Sequence, residues 1–222
     1  MAKIENNLLN IQNQIVNAKQ RANADQTVNI IAVTKEVDVA RTKEAIEAGL
    51  THLGENRPEG LTNKLQSINS NVSWHYIGSL QTRKVKQVIN DIDYLHSLDR
   101  LSLAEEIEKR ATKAVKCFIQ VNVSGEESKH GLTKQQALDF VKQLEQFSKI
   151  IVVGLMTMAP FTEDETVIRQ VFKQLKQLQQ EVSQLNIPNV PCTELSMGMS
   201  NDYEIAVEEG ATFVRIGTAL VG

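Results

Sequence analysis

Eight short runs of apolar and β-branched residues, each followed by a stretch with helical character, constrain this chain more than any other feature. The runs fall at 29–34, 52–54, 74–78, 94–98, 117–123, 150–156, 193–195 and 212–216, with the second and seventh the shortest. Strands that alternate with helices are joined by right-handed crossovers, so the sheet must be parallel with helices packed on its face. Eight such units in 222 residues fit a closed (β/α)8 TIM barrel. An open doubly wound sheet is the alternative, but the first strand-to-helix turn lacks GxGxxG and no GxxxxGK occurs anywhere. No Pro-, Gly- or Ser-rich linker interrupts the pattern, so residues 1–222 read as a single domain.

Residues 1–24 add an N-terminal helix ahead of the first unit, because Ile4, Leu8, Ile11 and Ile15 fall on one face among Asn, Gln and Lys. Later helices carry start signals: "SLAE" from Ser102, "TKQQ" from Thr133 and "TEDE" from Thr162 each fit a capping box. Gly49 and Gly210 end "EAG" and "EEG", where the residue after a helix must take positive φ.

Composition removes several function classes. The net charge of −3 is spread along the chain without a basic block, which argues against nucleic-acid binding. Neither an apolar signal core nor an 18-residue apolar run occurs, so no membrane association is expected. Cys117 and Cys192 lie far apart with no CxxC or histidine partner, which gives neither a disulfide framework nor a zinc site. A reducing cytoplasm is the expected compartment.

The chemistry begins with "NIIAVTKE", a strand that ends on Lys35. A lysine there either lifts its charge into solvent or offers an amine to a carbonyl at a pocket mouth. Arg215 sits near the end of the eighth run, and strands one and eight become neighbours when a barrel closes. A second cation beside Lys35 would favour the neutral amine that attacks an aldehyde. Taken alone, Arg215 would instead cap the barrel end through a carboxylate.

In "ELSMGMSNDYEIAVEEG" a short strand runs into Gly198, and Met199, Ser200, Asn201 and Asp202 lead into a helix with Ile205, Ala206 and Val207 inward. "RIGTALVG" then offers Gly217 and Thr218 after the last strand. Phosphate sites in such barrels are frequently built from the loops after strands seven and eight. Ser200 or Asn201 could equally serve only as a helix N-cap. Together the two loops and Lys35 point to a phosphate-bearing aldehyde.

Three other stretches are less informative. "LGENR" places Glu55 and Asn56 after strand two, where Asn56 could hydrogen-bond a ring hydroxyl or simply form a turn. "WHYIGSLQTRK" places His75 inside an apolar run, as a satisfied core histidine, and Ser79, Gln81, Thr82, Arg83 and Lys84 at a polar, basic helix entrance. The polar, charged loop 124–131 reads as mobile, and its His130 receives no role. No residue is assigned as a catalytic group or a metal ligand.

The ordered motifs "AVTK", "GEN", "WHYIGSLQTRK", "VNVSGEESKHG", "GLMTM", "LSMGMSND" and "RIGTALVG" resemble those of the YggS/PROSC family of pyridoxal phosphate homeostasis proteins, from about Ile30 to Gly222. The resemblance implies a barrel like the N-terminal domain of alanine racemase, the third fold type among pyridoxal phosphate proteins. It implies that Lys35 holds pyridoxal 5′-phosphate as an internal aldimine and that Asn56 lies beside the ring. It also implies that Met199, Ser200, Gly217 and Thr218 cradle the phosphate and that Arg215 faces the pyridine nitrogen. The segment that often reads "SKTKP" in relatives is "TKEVD" here, which keeps the lysine but is more acidic and lacks the proline.

A permanent cation against the ring nitrogen disfavours its protonation and makes the ring a poorer electron sink. Racemase relatives carry a further β domain that contributes a catalytic tyrosine, and this sequence ends six residues after the last expected strand. The expectation is therefore a monomeric protein that stores, buffers or hands over pyridoxal 5′-phosphate, with apo-enzymes as recipients and without strong catalysis of its own. A weak amino-acid racemase is the alternative, and a class I aldolase acting through Lys35 is a third reading.

Overall fold

Ile30, Ile31 and Val33 are β-branched residues that favour an extended backbone, and they form the strand β1 (Asn29–Val33). In the computed structural model, which describes residues 2–126 and 130–222, this strand pairs with both the second and the last, closing a parallel barrel. The other strands are β2 (His52–Glu55), β3 (Ser73–Tyr76), β4 (Tyr94–Leu98), β5 (Val115–Gln120), β6 (Ile150–Met156), β7 (Glu194–Met199) and β8 (Phe213–Ile216), in chain order around the barrel. The helices are α1 (Ala2–Arg21), α2 (Val39–Glu47), α3 (Pro58–Ser67), α4 (Leu101–Arg110), α5 (Lys134–Leu144), α6 (Glu165–Ser183), α7 (Tyr203–Glu208) and α8 (Thr218–Val221). The expected barrel and its extra N-terminal helix are both present.

Two elements depart from expectation. The crossover between β3 and β4 is a 3₁₀ helix, Thr82–Gln87, rather than an α-helix. Val85 within it and Val88 and Ile89 just after it are buried and β-branched, which weakens α-helical preference where they pack down. The seventh strand runs on through Gly198 to Met199 instead of ending early. Gly198 has φ +92°, and a Cβ there would stand 2.6 Å from Ala206 Cβ, so only glycine lets α7 fold back onto this strand.

The helix ends show which local signals held. Thr133 forms the full capping box with Gln136. The start at "TEDE" shifts by two residues, because the Asp164 carboxylate accepts the N–H groups of Thr166 and Val167 and becomes the N-cap. At "SLAE" the box is absent: Ser102 lies inside α4, and the N-cap Arg100 makes no capping bond. Its guanidinium instead donates to Leu80 O at 2.7 Å. Gly49 and Gly210 take φ of +99° and +100° as the stops require.

The α1 helix buries Ile4, Leu8, Ile11 and Ile15 as its spacing requires. It packs against α7 and α8. Asn7 Nδ2 donates to Leu220 O at 3.0 Å, and Tyr203 Oη hydrogen-bonds Gln14 Oε1. Arg21 pairs with Glu204 at 2.9 Å and Glu208 at 2.6 Å, while Arg169 on α6 pairs with Glu208 and Glu209, each at 2.7 Å. Single exposed pairs contribute little, but this network ties three helices at shared carboxylates. Among the described residues no helix is long and apolar enough to cross a membrane, and no His/Cys/Asp/Glu cluster could hold a metal. Cys117 and Cys192 are free and buried.

Candidate cofactor site at the barrel mouth

The register of β8 on β1 sets Arg215 opposite Ile31 and Ile216 opposite Ala32. Lys35 leaves the end of β1 in an exposed turn, closed by a Val37 N–H bond to Thr34 O at 3.0 Å. Arg215 lies lower and is 5% exposed, so these two cations occupy the mouth and the floor of the same edge.

Beneath Lys35 lies a buried polar cluster that sequence reasoning missed. Lys64 Nζ donates to Thr34 O and to Glu55 Oε1, each at 2.5 Å, and Thr34 Oγ1 donates to Glu55 Oε1 at 2.6 Å. Lys64 and Glu55 are 3% and 1% exposed. The carbonyl that precedes Lys35 is thus held by two donors, fixing the peptide from which the amine departs. A signal existed: Lys64 sits three residues after Leu61 and four before Ile68, on the apolar stripe of α3.

Asn56 follows β2 and is half-buried. A Cβ on Gly78 would stand 2.3 Å from Asn56 O and 2.9 Å from its Cα, so the chain after β3 can run against Asn56 only without a side chain. Gly78→Ala is expected to displace Asn56 and destabilise the fold by about 1–3 kcal/mol, the usual cost of overpacking. Urea unfolding beside a cofactor titration measures both effects; an unchanged midpoint and affinity would show that the contact relaxes freely.

Arg215 Nη1 donates to Ser196 Oγ at 2.7 Å and Nη2 to Thr157 O at 3.0 Å. Burial pulls its pKa down to about 10, while the Asp202 charge acts in the opposite direction. It therefore remains a cation at neutral pH. Among the described residues no carboxylate hydrogen-bonds it, so its role is not that of a carboxylate-bound barrel cap.

The two expected phosphate loops flank this edge. Asp202, rather than Ser200 or Asn201, is the N-cap of α7, and it makes no side-chain bond to the helix. Its Oδ1 accepts the Met199 N–H at 2.6 Å, so that donor is already engaged. Burial raises the Asp202 pKa, opposed by the Met199 N–H and the Arg215 charge. Ser200 and Gly217 are half-buried and Thr218 is exposed at the start of α8. A Cβ on Gly217 would lie 3.5 Å from Val33 Cβ, which sets the last loop directly over the end of β1. A cleft of about 770 Å³ between α1 and α7 shares Ser200 and Ala219 with this edge but contains none of Lys35, Asn56 and Arg215. The donor chemistry favours the barrel mouth over that cleft.

His75 is the buried, satisfied histidine expected, with ring contacts to His52 and His96 at 2.9 Å each. His52, His96 and Ser196 were not foreseen as its companions. His130 is exposed, and of the loop 124–131 the residues 127–129 lie outside the described structure.

An amine at the mouth of a parallel eight-stranded barrel, over a buried arginine and two glycine-bearing loops, fits the alanine racemase N-terminal domain class. The model of that family matches residues 7–222, and the chain belongs to it. Within the class it belongs with the pyridoxal phosphate homeostasis proteins. It is 37% identical over 220 residues to the pyridoxal phosphate homeostasis protein of Aquifex aeolicus, covering 97% of this chain and 96% of that one. Among solved structures, PipY of Synechococcus elongatus with PLP bound superposes with a TM-score of 0.87 at 31% identity, covering 99% of this chain and all of the other. A protein of Bifidobacterium adolescentis, described as unknown, superposes with a TM-score of 0.93 at 33% identity over 99% of this chain and 94% of its own.

Proposed function

We propose that this protein binds pyridoxal 5′-phosphate at the barrel mouth and serves intracellular homeostasis of that cofactor. The observation that carries the reading is the β1–β8 seam, where Arg215 pairs with Ile31 below the strand end that releases Lys35. The residues present suit the group: an accessible amine, a buried fixed cation and loop N–H and hydroxyl donors answer an aldehyde, an aromatic nitrogen and a phosphate. When bound, the cofactor supplies an aldehyde that condenses reversibly with amines.

Lys35 Nζ is the amine that holds the aldehyde carbon. Asn56 donates toward the ring hydroxyl. Ser200, Gly217 and Thr218 bind the phosphate, with Met199 contributing through the backbone of its loop while Asp202 keeps its N–H. Arg215 donates to the ring nitrogen and, being always charged, keeps a proton off it. That last role supports a protein without strong catalytic activity of its own. The exposure of Lys35 supports release to apo-enzymes by amine exchange, and the carrier in this reading is a monomeric, single-domain cytoplasmic protein.

The test is an absorbance spectrum of purified protein in the near-ultraviolet and visible, before and after borohydride, with peptide mapping of the product. The expected result is a visible band that collapses on reduction and leaves a pyridoxyl group on Lys35. A colourless protein even after added cofactor would sink the reading and favour an aldolase.

A further inference from the structure

TIM-barrel interiors are usually filled by branched apolar side chains. This one instead holds three of the chain's four histidines in a line. His52 Nδ1 lies 2.9 Å from His75 Nε2, His75 Nδ1 lies 2.9 Å from His96 Nε2, and His96 Nδ1 lies 2.9 Å from Ser196 Oγ. Ser196 in turn accepts from Arg215. The line begins at the half-buried His52, the first residue of β2, and climbs to the wholly buried His75 and His96. Rings fix its geometry: His75 stacks on Tyr94 at 4.3 Å and His96 on Phe118 at 4.4 Å. Burial holds both inner imidazoles neutral, with pKa values well below the usual histidine value.

A neutral imidazole has one donor and one acceptor, a serine hydroxyl has one proton, and a guanidinium only donates. Arg215 therefore fixes Ser196 Oγ as an acceptor. The Ser196 proton must go elsewhere, and Ser196 is fully buried. Among the described residues the acceptor within reach is His96 Nδ1. His96 must then carry its proton on Nε2 and donate it to His75 Nδ1, and His75 must donate from Nε2 to His52 Nδ1. The reverse order would leave the serine proton without a partner inside the barrel.

We infer that Ser196, His96, His75 and His52 form a hydrogen-bond chain of one polarity that positions Arg215 against the cofactor ring. Every lone pair in the chain points toward the guanidinium and every N–H away from it, ending on His52 Nε2–H at the opposite end of the barrel. The aligned dipoles do for the buried cation what water cannot do there. Asp93 and Lys116 face His52 at that open end, with opposite effects on its charge. The polarity stands on the hydrogen bonds alone; the effect on the cofactor rests on the reading that Arg215 meets the ring.

Long-range nitrogen–proton correlation spectra of histidine-labelled holo protein test the polarity, with each ring assigned through a single His→Gln variant. The expected spectra show His52, His75 and His96 all protonated on Nε2 only. A proton on Nδ1 of His75 or His96, or an imidazolium at either, overturns the polarity. For positioning, Ser196→Ala is expected to weaken cofactor binding about tenfold and to move the absorption maximum, while Ser196→Thr restores both. A variant that loses only thermal stability, with the band and the affinity unmoved, would reduce Ser196 to a packing residue. If the wild-type protein shows no band, the cofactor reading fails, and the tautomers still decide the polarity.

Discussion

Lys35→Ala is expected to abolish the visible band and the reducible bond to cofactor while leaving the barrel folded. The side chain is exposed in its turn, and exposed substitutions of this kind cost within about 0.5 kcal/mol. The loops proposed to hold phosphate and Arg215 remain, so the cofactor should still bind without a covalent link. The affinity should fall at least ~100-fold, which corresponds to about 2.7 kcal/mol. Equilibrium dialysis measures the affinity, and far-ultraviolet circular dichroism checks the fold. An unchanged band would move the attachment to another amine; Lys64, beneath Lys35, is already held by Thr34 O and Glu55.

Lys64→Met is expected to be the most destabilising of these substitutions. It leaves the Glu55 carboxylate buried with, among the described residues, the Thr34 hydroxyl as its remaining side-chain hydrogen-bond donor. Breaking a buried pair from one side typically costs about 3–5 kcal/mol, because the remaining charge cannot reach water. For a chain of this length that corresponds to a fall in melting temperature of roughly 10 °C. Removing the partner as well, in Glu55→Leu with Lys64→Met, should recover most of the loss, since apolar replacements of whole buried pairs are often close to neutral. Thr34 Oγ1 then keeps Gly54 O, at 3.4 Å, as an acceptor. Urea midpoints of the single and double variants decide the matter. A single variant within about 1 kcal/mol of wild type would mean that water reaches Glu55.

The parts legible in the sequence are those that depend on short range or on the order of the strands alone. Lys35 and Arg215 could be assigned to one edge because each sits at a strand end, and closing a barrel makes its first and last strands neighbours. Gly49 and Gly210 were readable because a positive φ is a property of one residue. The two loops proposed to hold phosphate could be paired because they follow strands seven and eight, which lie side by side. Asp164 displaced Thr162 as a cap because a carboxylate two residues on competes for the same N–H groups, a contest that spacing alone does not resolve. The histidine line was not readable as a line. Its links join residues 23, 21 and 100 positions apart, and each ring looks alone within its own apolar run. Only their shared inward register, His52 beside Ser73 and Gly54 beside His75, brings them together.

The seam between β1 and β8 also governs when the site can exist. Lys35 follows the first strand of the barrel, whereas Arg215, Gly217 and Thr218 belong to the end of the last, so the amine meets these three proposed ligands only when the ring of strands is complete. A growing chain with seven strands has no such site. A ligand held across that junction acts as a clasp on the two ends of the barrel, and a ligand that binds only the native state stabilises it in proportion to its saturation. Loaded protein should therefore open more slowly than empty protein along the junction of β1 with β8.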